Sequence, residues 1–174
     1  MEFTILDNTL KEKYKSQIYQ MLAFSDEEFV PPLSCRNSTT QKKLVGVANQ
    51  NGIKDYFEGL LSQHVLGIFI DGTLAGILSF ITDYTNPELK NIALPNVYLS
   101  TLVISPNFRG KGVTKKVYDY LFNTLYKGHT VYTRTWSTNH AHLKILAYFG
   151  FKLVLNKPND RGEGIDTVYF ELRR

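Results

Sequence analysis

The sequence predicts a mixed α/β fold in which helices flank a central sheet of about six to seven strands, mostly antiparallel. Three observations carry that class. Apolar residues recur at helical spacing before residue 63 and in strand-like runs after residue 64. Asp71-Gly72 sits between VLGIFI and LAGILSFI, a strong hairpin signal. Downstream, apolar runs alternate with helical patterns before two closing strands.

Element by element, Leu10, Tyr14, Ile18, Met21 and Leu22 place a helix over residues 9–23. The pair Pro31-Pro32 ends that region, because consecutive prolines resist helix continuation. A second helix is expected over Ile53 to Gln63, with Ile53, Phe57, Leu60 and Leu61 on one side. Residues 84–96, with Asn86, Asn91, Asn96, Pro87 and Pro95, read as a loop. VYLSTLVI at 97–104 is apolar almost throughout, which suits a strand buried on both faces. Val113, Val117, Leu121 and Leu125 recur every four residues and mark one long helix. TVYTRTW at 130–136 is a strand, and a short helix runs from about Asn139 to Phe149, with Gly150 at its C-terminal cap position. FKLVLN and DTVYFELR supply the last two strands.

With 174 residues, the chain suits one domain spanning 1–174: an N-terminal helical region of about 1–63 and a core of about 64–174. Hydrophobic residues make up 43% and charged residues 21%, ample for a core and unlike a disordered chain. The net charge of +4 suits a protein that handles anions such as phosphates and falls short of a basic nucleic-acid arm. Cys35 is alone, so no intramolecular disulfide forms. No secretory leader and no apolar run of ~20 residues is evident, and the expectation is a cytoplasmic protein.

The segment SPNFRGKGVTKKVYDYL joins the strand at 97–104 to the following helix. Glycines at such a junction let main-chain N–H groups approach an anion at a helix N-terminus. The pattern is neither GxxxxGK[ST] nor GxGxxG, since Lys115 stands where the second motif needs glycine.

What the segment resembles is the acetyl-coenzyme-A loop of the GNAT acyltransferase superfamily, in which an apolar strand leads through a proline into RGxGxG or RGxGxA and a helix. Two departures are Asn107, where many members have Gln or Arg, and Thr114, in place of a final glycine or alanine. A second match follows in TWSTNHAHLKILAYFGFKLV: Asn139 stands where members hold the pantetheine arm, and Gly150-Phe151 matches their closing pair. The likeness covers about residues 64–173. It implies a splayed sheet, with strand 97–104 parting from strand 130–136 and the thioester in the gap. The donor would be acetyl-coenzyme A. Its binding residues would be Leu102, Val103 and Ile104 along the strand, Arg109, Gly110, Lys111, Gly112, Val113 and Thr114 at the turn, and Asn139.

The chemistry is less complete. Many relatives carry an acidic tyrosine on the last helix, but Leu146 occupies that position here. Tyr148 is the candidate nearby, about 200° further around the helix. Leu99 stands where some members have a glutamate base, which leaves Glu28, Asp83, Glu163 and Asp166 as candidates. His140 and His142 do not share a helical face as metal ligands at i, i+4 would, and no metal is assigned. Two polar stretches, 27–41 and 159–167, are expected at the acceptor site. There Glu28, Arg36, Trp136 and Arg161 are the candidates, and the two arginines suit a carboxylate or phosphate.

The leading reading is an N-acetyltransferase that moves acetyl from acetyl-coenzyme A to a primary amine by direct attack, with a small-molecule or peptide acceptor. The missing tyrosine and glutamate keep open a non-catalytic acyl-coenzyme-A binding or sensing module. Nucleic-acid binding through 107–116 ranks third, because Tyr118, Tyr120 and Phe122 read as helix packing rather than base-stacking platforms.

Overall fold

The structure is a computed structural model that describes residues 1–44, 46 and 49–173. Its centre is a seven-stranded sheet of order β1-β2-β3-β4-β5-β7-β6. The strands are β1 (Glu2–Ile5), β2 (His64–Ile70), β3 (Thr73–Thr82), β4 (Asn96–Ile104), β5 (Thr130–Trp136), β6 (Lys152–Lys157) and β7 (Thr167–Leu172). All neighbours are antiparallel except β4 and β5.

Local chemistry explains most boundaries. Helix α1 (Asn8–Phe24) starts where Asp7 accepts a hydrogen bond from the Leu10 amide at 2.8 Å. Helix α2 (Ile53–Leu61) ends two residues before its expected stop, and Tyr56 rather than Leu61 completes its buried face. The Lys11 ammonium donates to the Leu61 and Gln63 carbonyls, placing a cation at the C-terminal end of α2. In the β2–β3 hairpin, Asp71 and Gly72 have φ of 50° and 75°, as a two-residue turn of this twist requires.

Two expectations are corrected. Sequence patterning gave no element at the N-terminus, yet β1 pairs with β2 from Glu2↔Phe69 to Ile5↔Leu66. Four residues with three exposed side chains leave almost no apolar periodicity to detect. The long helix is also not uniform. Helix α3 (Val113–Tyr120) widens into a π turn over Leu121–Leu125, closed by the Tyr126 amide on the Leu121 carbonyl at 2.7 Å. The four-residue spacing keeps Val113, Val117 and Leu121 buried through the change.

The sheet carries a core on each face. One unites Leu78, Phe80 and Leu99 with Val113, Val117 and Phe122 of the α3 segment and with Leu146 of helix α4 (His140–Phe149). The other packs Ile77 and Val103 against Ile18 and Leu22 of α1 and against Tyr56 and Leu60 of α2. Near the sheet end, Tyr98, Tyr132 and Tyr169 form a third cluster with Leu89.

The sheet opens at its middle. Strands β4 and β5 pair only from Asn96↔Thr130 to Leu99↔Thr133. At the same level β4 carries a bulge, because Ser79 faces Thr101 while Phe80 faces Leu99, leaving Ser100 as the extra residue. Ser100 Oγ lies 2.7 Å from Ser79 Oγ, so the bulge is fixed by its own hydroxyl. Beyond it β4 stays paired with β3, with Gly76 against Ile104, and its other edge is released.

Gly76 is where that close strand contact shows most. A Cβ there would meet the Val103 carbonyl oxygen at 2.6 Å and Ile104 Cδ1 at 2.7 Å. Gly76→Ala is expected to destabilise the protein by roughly 1–3 kcal/mol through overpacking. A urea titration checks this as a lowered midpoint with unchanged slope; an unchanged midpoint contradicts the contact.

Candidate active site

A cavity of about 340 Å³ occupies the opening between β4 and β5. Leu102, Val103 and Ile104 line it from the released edge of β4, and Thr133 to Trp136 line it from β5. Thr114 and Tyr118 enter from α3, and Asn139, His142 and Ile145 from α4. Ser25, Glu28 and Phe29 close the opposite side. The cavity is therefore bounded by elements from both faces of the sheet.

The glycine turn lies at the α3 end. Gly110 and Gly112 have φ of 72° and 70°, and a Cβ at either would meet no atom within 4 Å. Glycine there serves the left-handed backbone and leaves the space in front of the turn open. The Lys116 amide makes the helix's first bond, to the Gly112 carbonyl at 3.2 Å, so the amides of Val113, Thr114 and Lys115 face out of the helix end. Lys111 is exposed and donates to the Asn107 carbonyl at 2.9 Å.

Arg109 does more than line the turn. Its Nε donates to the Ile104 carbonyl at 2.7 Å, one terminal nitrogen bonds Glu28 Oε1 at 2.7 Å, and the other bonds Ser25 Oγ at 3.1 Å. One guanidinium thus ties the end of β4 and the turn to the segment after α1.

At the head of α4, Asn139 Oδ1 accepts from the His142 amide at 3.2 Å and its Nδ2 donates to Thr135 Oγ1 at 3.0 Å. The Asn thus caps the helix and holds its start against β5. His142 Nε2 in turn lies 2.7 Å from Tyr118 Oη, and both side chains face the cavity. Burial pushes the Tyr118 phenol well above its ordinary pKa and lowers the His142 imidazole to about 4, so both are neutral at neutral pH.

The sequence candidates divide on inspection. Tyr148 is corrected: it is 65% exposed, away from the cavity, with the Lys115 ammonium 4.0 Å from its ring centre. The 200° offset read from the sequence is the reason. Asp83 and Glu163 are exposed outside the cavity, while Asp166 caps its own loop by accepting from the Asn159 amide and Asn156 Nδ2. Those bonds lower its pKa. Glu28 is the one carboxylate among the described residues that line the cavity. His140 is exposed, and no group of three or more His, Cys, Asp or Glu suited to a metal occurs among the described residues.

The two polar stretches meet at Val30, whose carbonyl accepts from both Arg36 and Arg161. Arg36 donates to the Val30 and Pro31 carbonyls, and Arg161 donates to Val30 and to Thr167 Oγ1. Trp136 packs against Phe29 at 5.8 Å between ring centres, with Arg161 over the indole at 5.6 Å. Sequence reasoning missed Tyr118, His142 as its partner, and Arg134. Arg134 had a signal, being the single charge within TVYTRTW. Tyr118 had none, because nothing in the sequence says that α3 presents it to α4.

Comparison with known proteins agrees with this geometry. No curated protein matches the chain. Among solved structures, the ribosomal-protein-alanine N-acetyltransferase from Brucella melitensis superposes with a TM-score of 0.66 at 12% identity, covering 100% of both chains. The aminoglycoside 6'-N-acetyltransferase from Enterococcus faecium gives 0.66 at 14% identity, covering 99% of this chain and 97% of its own. The structure of yncA from Salmonella typhimurium, which contains its cofactor acetyl-CoA, gives 0.63 at 16% identity, covering 99% and 93%. At these identities the likeness speaks for the fold. The profile of the "Acetyltransferase (GNAT) family" matches residues 22–151, and the chain belongs to that family.

Proposed function

We propose that this protein is an N-acetyltransferase that uses acetyl-coenzyme A to acetylate a primary amine. The observation that carries the reading is the cavity at the strand opening, lined by Arg109 and Thr114 on either side of the open glycine turn and by the buried phenol–imidazole pair. The residues present fit the donor. The amides at the start of α3 suit its diphosphate, and the unpaired edge of β4 suits amide groups that dock as an added strand would. When bound, acetyl-coenzyme A supplies the activated acetyl group.

The chain's own groups then take three roles. The edge of β4 and Asn139 orient the donor arm, a positioning effect that needs no titrating group. Glu28, at the mouth beside Ser25 and Phe29, accepts the proton that an ammonium acceptor must lose. Arg109 holds it there through the 2.7 Å ion pair. Tyr118 keeps its proton at neutral pH and offers the hydroxyl as a donor to negative charge at the leaving sulfur, while His142 fixes the phenol orientation by donating its Nε2–H to Tyr118 Oη. This assignment also answers the absent tyrosine on α4, since α3 supplies one. A non-catalytic binding module has no comparable feature in its favour.

Isothermal titration should show saturable binding of acetyl-coenzyme A, and absence of binding at millimolar ligand contradicts the reading. Gly112→Asp should weaken that binding by at least about tenfold, because it sets a carboxylate and a strained left-handed residue at the turn. Tyr118→Phe is expected to lower kcat by roughly 10- to 100-fold with little change in donor affinity, measured by thiol release.

The pair also predicts a pH dependence of stability. The folded-state pKa of His142 is depressed, so the unfolded chain binds the extra proton between pH 6.5 and about 4. Stability is therefore fully present above pH 6.5 and falls as pH drops toward 4, by on the order of 3 kcal/mol. Urea unfolding of wild type and His142→Gln at pH 7 and pH 4.5 checks this: the variant should lose distinctly less stability on acidification.

A further inference from the structure

Three arginines are buried together beside the cavity. Arg36 is 5%, Arg134 9% and Arg161 6% exposed. Their hydrogen bonds run to neutral oxygens: Arg36 to the Val30 and Pro31 carbonyls, Arg134 to the Thr39 and Gln41 carbonyls and Tyr169 Oη, and Arg161 to the Val30 carbonyl and Thr167 Oγ1. None of the ion pairs among the described residues involves them. The nearby carboxylates are committed elsewhere. Asp160 accepts from Thr167 Oγ1 and lies 3.7 Å from the Lys157 ammonium, and Glu28 is paired with Arg109.

Buried charge of one sign without a counterion is costly, and three such charges add mutual repulsion. The strain is visible in Arg161, pushed down to about 9 by burial and by the charges of Arg36 and Arg134, which Asp160 offsets only in part. Arg36 is lowered by burial in the same way, whereas Arg134 is raised, burial being outweighed by the tyrosines around it. The aromatic faces help without neutralising: Arg36 lies over Phe29 and Tyr56, Arg134 over Tyr169, and Arg161 over Trp136. Phe29, Trp136 and Arg134 are themselves walls of the cavity. An acceptor with several ammonium groups, such as a polyamine, would meet this field unfavourably, and one whose single charge is its ammonium would leave the field uncompensated.

Building on the acetyltransferase reading, we infer that the acceptor carries an oxyanion, a carboxylate or a phosphate, which docks at the Arg134 end of the cavity. Arg36 and Arg161 hold positive charge behind Phe29 and Trp136, and the oxyanion supplies the direct ion pair that these arginines lack among the described residues. The amine then projects toward Glu28 on the same side of the opening. The site thus sorts amines by charge before it sorts them by shape.

Matched acceptors test this at constant ionic strength. O-phosphoethanolamine against ethanolamine probes phosphate, and 4-aminobutanoate against 4-aminobutanamide probes carboxylate, each by thiol release from acetyl-coenzyme A. In at least one pair the member that bears the oxyanion should exceed the partner that lacks it by roughly 100-fold in kcat/KM. Equal rates within both pairs overturn the inference, and the pair that discriminates names the anion. A second arm needs no turnover: calorimetry with inorganic phosphate and with succinate should show saturable millimolar or tighter binding to the wild-type protein. Arg134→Gln should weaken it by at least about tenfold and Arg134→Lys by less, with acetyl-coenzyme A affinity retained as the check on folding. If neither anion binds the wild-type protein, the oxyanion site is wrong whatever the enzyme does. If an anion binds and Arg134→Gln weakens it, the site stands even where none of these amines is acetylated, whereas anion binding that Arg134→Gln leaves unchanged overturns the site.

Discussion

Everything functional in this fold depends on β4 and β5 ceasing to pair after Leu99↔Thr133. Parallel strands held together by neighbouring hydrogen bonds normally continue side by side, so the separation needs a cause. Two are present at that level. The Ser100 bulge raises the local twist of β4. Thr133 Oγ1 donates to the Leu99 carbonyl at 3.0 Å, so the last point of contact is clamped and the opening begins sharply. The gap that follows is stabilised because each strand keeps its other partner, β3 on one side and β7 on the other. Only the inner edges are left to a ligand.

The helices are arranged around that gap. Helix α3 follows β4 and α4 follows β5, so both begin beyond the parted ends of these parallel strands, and Arg109 and Asn139 fix the two connections to them. The segment after α1 reaches the same gap from the opposite face, so residues over 80 positions apart, Glu28 and Arg109, are in direct contact. The N-terminal region is thereby part of the site as well as a cover for the sheet.

Much of this was legible in the sequence because it is local. Asp71-Gly72, the glycines at 110 and 112, Asn139 as a cap and Gly150 after a helix each encode their structure within a few residues. The glycine turn and Asn139 also carried the family likeness. What escaped depends on contacts distant in sequence. Strand β1 has no periodic signature, and its assignment rests on the edge of β2. The Tyr118–His142 pair joins positions 24 apart through the packing of α3 on α4. Arg36 and Arg161 were legible as acceptor-side candidates, but their burial together with Arg134 draws on positions 36, 134 and 161 and shows only in the folded chain. The π turn was hidden because a four-residue apolar spacing is compatible with either helical width at a single turn.

Helix α3 has one more consequence, which follows from its being a stiff rod. It begins at Gly112 and presents Tyr118 six residues later, an axial distance of about 9 Å. The open turn and the phenol are therefore held at a constant separation, a gauge built into the backbone. On the proposed reading, a short acyl donor that lacks the distal diphosphate can engage one end of this gauge but cannot span both, so donor length itself becomes a criterion of selection.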